Sequence, residues 1–259
     1  MSAQPISRET ETRLALLLDD RPLVVDLIDL TLGHGAFEVH TARDLGEAEA
    51  ILAEWHPHLA VVDMEHDDST ALLGRLATAD HPTQRTTPAL GLTRRGDLRT
   101  ELRAFDLGVD DILTTPFSPE ELLARAIAIT RRATGSSVPI IPTMRIGEME
   151  IDILGREVRT GDSVIHLTGI DQSLLYLLAS RAGQVVTRDE ILDEIWGTDF
   201  VAETNIVDRH IRSLRIKLQN DYPRPRFIAT VPGVGYRFIP TFTNVDSDGE
   251  PTLPETRPH

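Results

Sequence analysis

The 259-residue chain has no cysteine and only one lysine, Lys217, among its 26 basic residues. The first absence removes disulfides, thiolate catalysis and Cys-ligated zinc or iron–sulfur chemistry, and it fits a reducing compartment. The second leaves arginine to fill every other basic role. Aromatic residues make up only 5%, and 41 acidic residues outnumber the basic ones, for a formal net charge of −15. Such a chain has no general basic coat, so any grip on nucleic acid has to be local. Long apolar runs are missing as well. Leu14-Ala15-Leu16-Leu17-Leu18, near the start, is about five residues, against the ~20 that a membrane span needs. No secretory signal is visible. The expectation is a cytoplasmic protein without a membrane partner.

The 41% hydrophobic content is enough for real cores, and the length suits two domains and a linker. Residues 133–143 carry no charge and hold Gly135-Ser136-Ser137, Pro139 and Pro142, a linker composition. The expected division is a disordered N-terminus at 1–12, a first domain at 13–132, a linker at 133–143, a second domain at 144–240 and an acidic disordered tail at 241–259. Net charge is −10 over 1–132, −2 over 143–240 and −3 over 241–259, so the acidity is concentrated in the first domain.

In that first domain Leu14–Leu18, Phe37–His40, Leu59–Val62, Ala89–Leu92 and Asp111–Leu113 read as strands. Leu23–Gly33, Leu45–Trp55, Thr70–Ala79, Leu98–Leu107 and Pro119–Arg132 have helical spacing, and the last opens with Ser118 and Pro119 as cap and first helical residue. Five such units predict an α/β doubly wound, parallel five-stranded sheet of the flavodoxin type, whose ligand chemistry sits at the carboxyl ends of the strands. Those ends carry Asp19-Asp20, Asp63, Thr93 and Thr114-Thr115-Pro116. Converging carboxylates repel one another, and a hard divalent cation such as Mg²⁺ relieves them.

The segments Leu18-Asp19-Asp20, Val61-Val62-Asp63, Leu92-Thr93 and Pro116-Phe117-Ser118-Pro119-Glu120-Glu121 resemble the receiver domain of bacterial two-component response regulators. The resemblance implies that Asp63 accepts a phosphoryl group from a sensor histidine kinase. It also implies that Asp19, Asp20, Asp63 and the Glu65 carbonyl hold Mg²⁺, and that Thr93 is the switch hydroxyl. Three departures stand beside it. Thr115 replaces the lysine of the fifth strand, and Ile112 replaces the aromatic switch residue. Met64-Glu65-His66-Asp67-Asp68 follows Asp63 where Pro and Gly are usual, which adds three acidic side chains. Losing a cation while gaining anions disfavours a phosphoryl group at Asp63. The alternative is a phosphorylation-independent regulator with a degenerate receiver used for dimerisation. Asp110, Asp111, Arg125, Arg131 and Arg132 match charged residues that the family uses across a symmetric homodimer interface.

In the second domain, Met144–Ile151 and Glu157–Arg159 alternate as a small antiparallel sheet with a turn at Gly161-Asp162-Ser163. Helical patterns at Ile170–Ala182, Arg188–Trp196 and Glu203–Gln219 follow, with Thr187 and Thr198-Asp199 as start signals, then a hairpin over Arg226–Ile239. The sum is an α+β winged helix. Its third helix has an apolar stripe of Ile206, Val207, Ile211, Leu214 and Leu218, with Arg209, His210, Arg212, Ser213, Arg215 and Lys217 on the remaining surface. Arginine can read guanine edges or neutralise phosphates.

Leu174-Leu175-Tyr176-Leu177-Leu178, Ile195-Trp196-Gly197, Val207-Asp208-Arg209-His210-Ile211-Arg212-Ser213-Leu214-Arg215 and Val231-Pro232-Gly233-Val234-Gly235-Tyr236 resemble the effector domain of OmpR/PhoB-type regulators. The resemblance implies a transcription regulator, not an enzyme, that binds double-stranded promoter DNA on tandem or inverted half-sites. Arg209, His210, Arg212, Ser213, Arg215 and Lys217 would face DNA on the recognition helix and Thr230 on the wing. Gly197–Ala202 corresponds to the loop that meets RNA polymerase. Pro232 stands where many relatives carry a wing arginine. Two remote alternatives are a Mg²⁺-dependent phosphohydrolase, with Glu65 or His66 as general acid, and an adaptor whose winged helix binds only protein.

Overall fold

The computed structural model describes residues 13–35, 37–77, 87–135, 143–146, 148–197, 205–220 and 223–239. The expected disordered termini and most of the expected linker lie outside them.

The first unit alternates β1 (Arg13–Leu18), α1 (Pro22–Gly35), β2 (Phe37–Ala42), α2 (Leu45–Trp55), β3 (Leu59–Asp63), α3 (Ser69–Ala77), β4 (Ala89–Arg94), α4 (Leu98–Asp106), β5 (Asp111–Thr115) and α5 (Pro119–Thr134). The strands form one parallel sheet in the order β2-β1-β3-β4-β5. Period-two alternation divides its apolar residues between two cores. Ala15, Leu17, Leu59 and Val61 pack with α1 and α5, whereas Leu16, Leu18, Ala60 and Val62 pack with α2, α3 and α4. Ser118 caps α5 by accepting the Glu121 N–H at 3.2 Å. The helix runs two residues past the expected limit of Arg132, to a left-handed Gly135 whose N–H bonds the Arg131 carbonyl.

The second unit opens with β6 (Thr143–Ile146), β7 (Met149–Asp152), β8 (Glu157–Thr160) and β9 (Ser163–His166), an antiparallel sheet in that order. The stretch Met144–Ile151, expected as one alternating run, is thus two paired strands, with Ile146 opposite Met149. Next come α6 (Gly169–Ser180), β10 (Val185–Thr187), α7 (Arg188–Trp196), α8 (Ile206–Lys217), β11 (Ile228–Val231) and β12 (Gly235–Phe238). Thr168 with Asp171 and Thr187 with Glu190 form capping boxes that start α6 and α7. The start signals Thr198-Asp199 lie outside the described residues, and α8 begins after Asn205.

The wing hairpin turns through Gly233 at φ +72°. Gly235 is required for another reason: a Cβ there would stand 2.0 Å from the Val186 carbonyl oxygen, so only glycine lets β10 pair with β12.

The two units share one apolar cluster, which runs from the α1 and α5 side of the parallel sheet into α6 and the second domain. Arg181, capping α6, pairs with Asp26 of α1 at 2.8 Å, and Arg156 pairs with Glu120 of α5.

Candidate functional site

Strand register builds the acidic edge. Leu18 lies opposite Val62, Asp63 opposite Leu92 and Thr93 opposite Thr114, so the next turn of each strand brings Asp19, Asp63, Thr93 and Thr115 together. Asp19 and Asp63 are 1% and 5% exposed, Asp20 is exposed, and one carboxylate oxygen from each of the three lies within 4.8 Å of the others.

A residue that the sequence reading passed over stands among them. Arg21 donates from Nε to Asp19 Oδ1 at 3.1 Å and from Nη2 to Asp19 Oδ2 at 2.7 Å, while the same Nη2 lies 3.2 Å from Asp63 Oδ2. Its backbone N–H also donates to Asp19 Oδ1, at 2.8 Å. Burial pushes the Asp63 carboxyl above its usual range; Arg21 and the Glu65 N–H, 3.1 Å from Oδ1, pull against that. The negative charge expected to go unrelieved beside Asp63 is therefore relieved by a guanidinium. This guanidinium comes from the position directly after Asp20.

The acidic loop after Asp63 is also engaged. Glu65 pairs with Arg94 at 2.8 Å, and Asp68 accepts the Leu45 N–H at 2.9 Å. His66 Nδ1 accepts the Asp68 N–H and Nε2 lies 3.1 Å from the Arg43 carbonyl, so neither proposed general acid is directed at Asp63. Thr115 donates its hydroxyl to the Thr93 carbonyl at 3.1 Å. The Thr93 hydroxyl is buried and meets no partner among the described residues. Ile112 is half-buried against the α2–α4 core.

A second surface lies on α4. Leu98, Leu102 and Phe105 recur at spacings of four and three and are 62%, 57% and 54% exposed, an apolar stripe that turns away from the core. Beside it, Arg125 bonds Asp111 at 2.9 Å and Glu121 at 2.8 Å, Asp110 accepts the Ala89 N–H at 2.8 Å, and Arg131 and Arg132 are exposed. The spacing of Leu98, Leu102 and Phe105 was readable in the sequence; their exposure was not.

The third surface is α8. Arg209, Arg212, Ser213 and Ile216 are exposed at helical spacing and form one outward face. Other residues expected there turn inward. Arg215 is 9% exposed, with Nη2 donating to the Ile228 carbonyl at 3.0 Å and to the Thr230 hydroxyl at 2.8 Å. Thr230 is thereby engaged inside the domain, Lys217 pairs with the buried Asp171, and His210 leans on Trp196 with ring centroids 5.2 Å apart. Arg215, expected to face DNA, is buried, and that expectation is corrected; Lys217 and Thr230 are half-buried, each with a partner inside the domain. Buried carboxylate and carbonyl acceptors take these donors because leaving them unpaired costs more than exposing a cation gains.

Tyr236, buried, and Asp208, exposed, extend this network. Tyr236 donates its hydroxyl to Asp208, Arg188 bonds the same carboxylate at 2.8 Å, and the Arg188 and Arg215 guanidinium carbons stand 5.0 and 5.3 Å from the Tyr236 ring centroid. Burial, followed by the bond to Asp208, pushes the Tyr236 hydroxyl up to about 12. Burial works against the Asp208 carboxylate, but Tyr236 and Arg188 outweigh it and hold Asp208 below its usual range. The network joins the start of α7, helix α8 and the wing. The loop expected to meet RNA polymerase lies, after Gly197, outside the described residues.

Residues 15–127 match the response regulator receiver domain, and residues 161–238 match the transcriptional regulatory protein C-terminal domain. The chain belongs to the OmpR/PhoB-type response regulators. TrcR of Mycobacterium tuberculosis is 34% identical over 227 residues, 87% of this chain and 86% of the relative. KdpE of the same species is 31% identical over 227 residues, covering 87% and 98%. MtrA, a DNA-binding response regulator of Mycolicibacterium smegmatis, is 30% identical over 233 residues, covering 90% and 99%.

For this response regulator, the three carboxylates are of the right kind for Mg²⁺, which prefers oxygen ligands. As arranged, they do not fit it. The Arg21 guanidinium already bridges Asp19 and Asp63, and a divalent ion between the same oxygens would stand against that positive group.

Proposed function

We propose that the chain is a cytoplasmic, sequence-specific regulator that binds double-stranded promoter DNA as a homodimer, with α8 in the major groove. The observation that carries this is the outward face of Arg209, Arg212, Ser213 and Ile216 on a helix fixed from behind by Arg215, Asp208 and Tyr236. The arginines supply phosphate or guanine contacts, Ser213 a small polar contact, and Ile216 an apolar contact suited to a thymine methyl. No described helix is long and apolar enough to cross a membrane.

Support for the homodimer comes from the exposed Leu98, Leu102 and Phe105 stripe on α4, an apolar patch that a symmetric interface would bury, with Asp111 on β5 and Arg125, Arg131 and Arg132 on α5 as the charges proposed to set its register. A dimer would place two recognition helices about one helical turn of DNA apart. The turn after α7 is the proposed contact for RNA polymerase. Asp63 is the phosphoacceptor that a sensor histidine kinase would address, but its pairing with Arg21 favours a receiver that dimerises without phosphorylation. A hydrolase is disfavoured because Glu65 and His66 are engaged with Arg94 and with Asp68 and Arg43.

The test is selection from a random duplex library with the full chain, with and without beryllofluoride. Enrichment of a two-half-site motif, equal under both conditions, is expected. A library that stays unenriched would overturn the DNA reading; a motif that emerges only with beryllofluoride would overturn the phosphorylation-independent receiver.

A further inference from the structure

The acidic pocket is bounded on one side by the other domain. Glu194, in the last turn of α7, is close enough to Arg21 and Asp19 for each to act on its carboxyl. Burial pushes Glu194 up, Arg21 pulls it down, and Asp19 adds to the upward push. Two further contacts join the domains. Arg181 pairs with Asp26 on α1 at 2.8 Å, and a Cβ on Gly197 would touch Pro116 Cδ at 3.6 Å. Arg21 itself bonds two carboxylates of its own domain, Asp19 and Asp63.

The chemistry of that cation matters. A guanidinium offers donors in a fixed planar fork and has no acceptor and no open coordination position. Bonded through both Nε and Nη2 to Asp19, it neutralises the pocket without presenting a place where a phosphoryl oxygen could bind a metal. Its tether is as short as a tether can be: Arg21 follows Asp20 directly, so a free ion has to compete with a cation already held at high local concentration. The same residue answers the lack of a lysine on β5, where the Thr115 hydroxyl turns to the Thr93 carbonyl.

We propose that Arg21 is the resident cation of the acidic pocket and that it excludes divalent metal ions from Asp19 and Asp63. The proposal goes beyond DNA binding and rests only on the receiver assignment. Its test uses neither DNA nor a kinase, so its failure is distinguishable from failure of the proposed function.

The experiment is titration of the full chain with Mn²⁺, a paramagnetic stand-in for Mg²⁺, followed by calorimetry and by broadening of the amide signals around Asp63. The wild type is expected to show no saturable binding and no selective broadening. Arg21→Ala should gain saturable binding, on the order of tenfold tighter or more, and Asp63→Asn in that background should abolish it. Selective broadening around Asp63 in the wild type, at the same metal concentration as in Arg21→Ala, would overturn the proposal. So would a folded Arg21→Ala that gains no binding. If Arg21→Ala does not fold, the wild type and Arg21→Gln, which removes the charge and keeps a long side chain, decide: a silent wild type with a gain in Arg21→Gln upholds the proposal, and any other pattern overturns it.

Discussion

The acidic edge of the receiver and helix α8 of the effector domain have opposite charge, and the structure revises both in the same direction. At the receiver edge, the sequence shows carboxylates and no lysine to meet them, yet Arg21 lies across Asp19 and Asp63. On α8, the sequence shows four cations, yet Arg215 is 9% exposed and Lys217 is bonded to Asp171. In each region a buried acceptor has captured a nearby cation. The lesson is that formal charge along a segment overstates the charge it displays: the pocket is less negative than its motif, and the DNA-facing surface is narrower than its helix.

The largest effect that could break this comparison is on stability. Arg215→Ala removes the donor to the Thr230 hydroxyl and one of the two donors to the buried Ile228 carbonyl, which keeps Asn220 Nδ2 at 3.1 Å, and should cost the effector domain about 1–3 kcal/mol in denaturant unfolding. A cost below about 0.5 kcal/mol, the range of ordinary surface changes, would return Arg215 to the surface. Arg212→Ala should show the opposite balance, with unchanged stability and about 1–3 kcal/mol lost in DNA affinity by fluorescence anisotropy. Next, Leu102→Glu in the α4 stripe should weaken self-association in sedimentation by on the order of tenfold; an unchanged association constant would remove α4 from the dimer face.

The smallest effect separates the two regions by the sign of their pH dependence. Asp208 is held low by Tyr236 and Arg188, so its contribution to stability is present above the unfolded carboxylate range and lost as pH falls through its folded value. Asp63 is raised by burial, so ionising it weakens the fold, and that penalty disappears on acidification. Asp208→Asn should therefore flatten the acid-side loss of stability, and Asp63→Asn should raise Tm slightly near neutral pH. If the two substitutions shift the pH profile in the same sense, the contrast between the regions is wrong.

Much of the fold was legible because it is written in periodicity. The unbroken apolar runs Leu14–Leu18 and Leu59–Val62 form strands of the central sheet, and the stripe of Val207, Ile211, Leu214 and Leu218 survives intact as the buried face of a helix. Short elements escaped. The three residues of β10 and four of β9 are too few to carry a period, and the break between Ile146 and Met149 is invisible in an alternating run. In the pocket, Asp19, Asp63 and Thr93 were legible as strand ends. Arg21 was not, because nothing in local spacing says that a side chain beginning after β1 will turn back over it. Tyr236 and Asp208 were missed for a related reason: they lie 28 positions apart, and only the wing hairpin folding onto α8 brings them together.

The most direct test of the narrowed DNA surface is the salt dependence of binding to a duplex of fixed sequence by the wild type, Arg212→Ala and Lys217→Ala. Each phosphate-neutralising cation removed lowers the slope of log affinity against log salt by about 1. Arg212→Ala is expected to lose that increment and Lys217→Ala, whose ammonium is bonded to Asp171, to keep the wild-type slope. Equal loss of slope in both variants would contradict the pairing of Lys217 with Asp171 and the assignment of DNA reading to the outward face of Arg209, Arg212, Ser213 and Ile216.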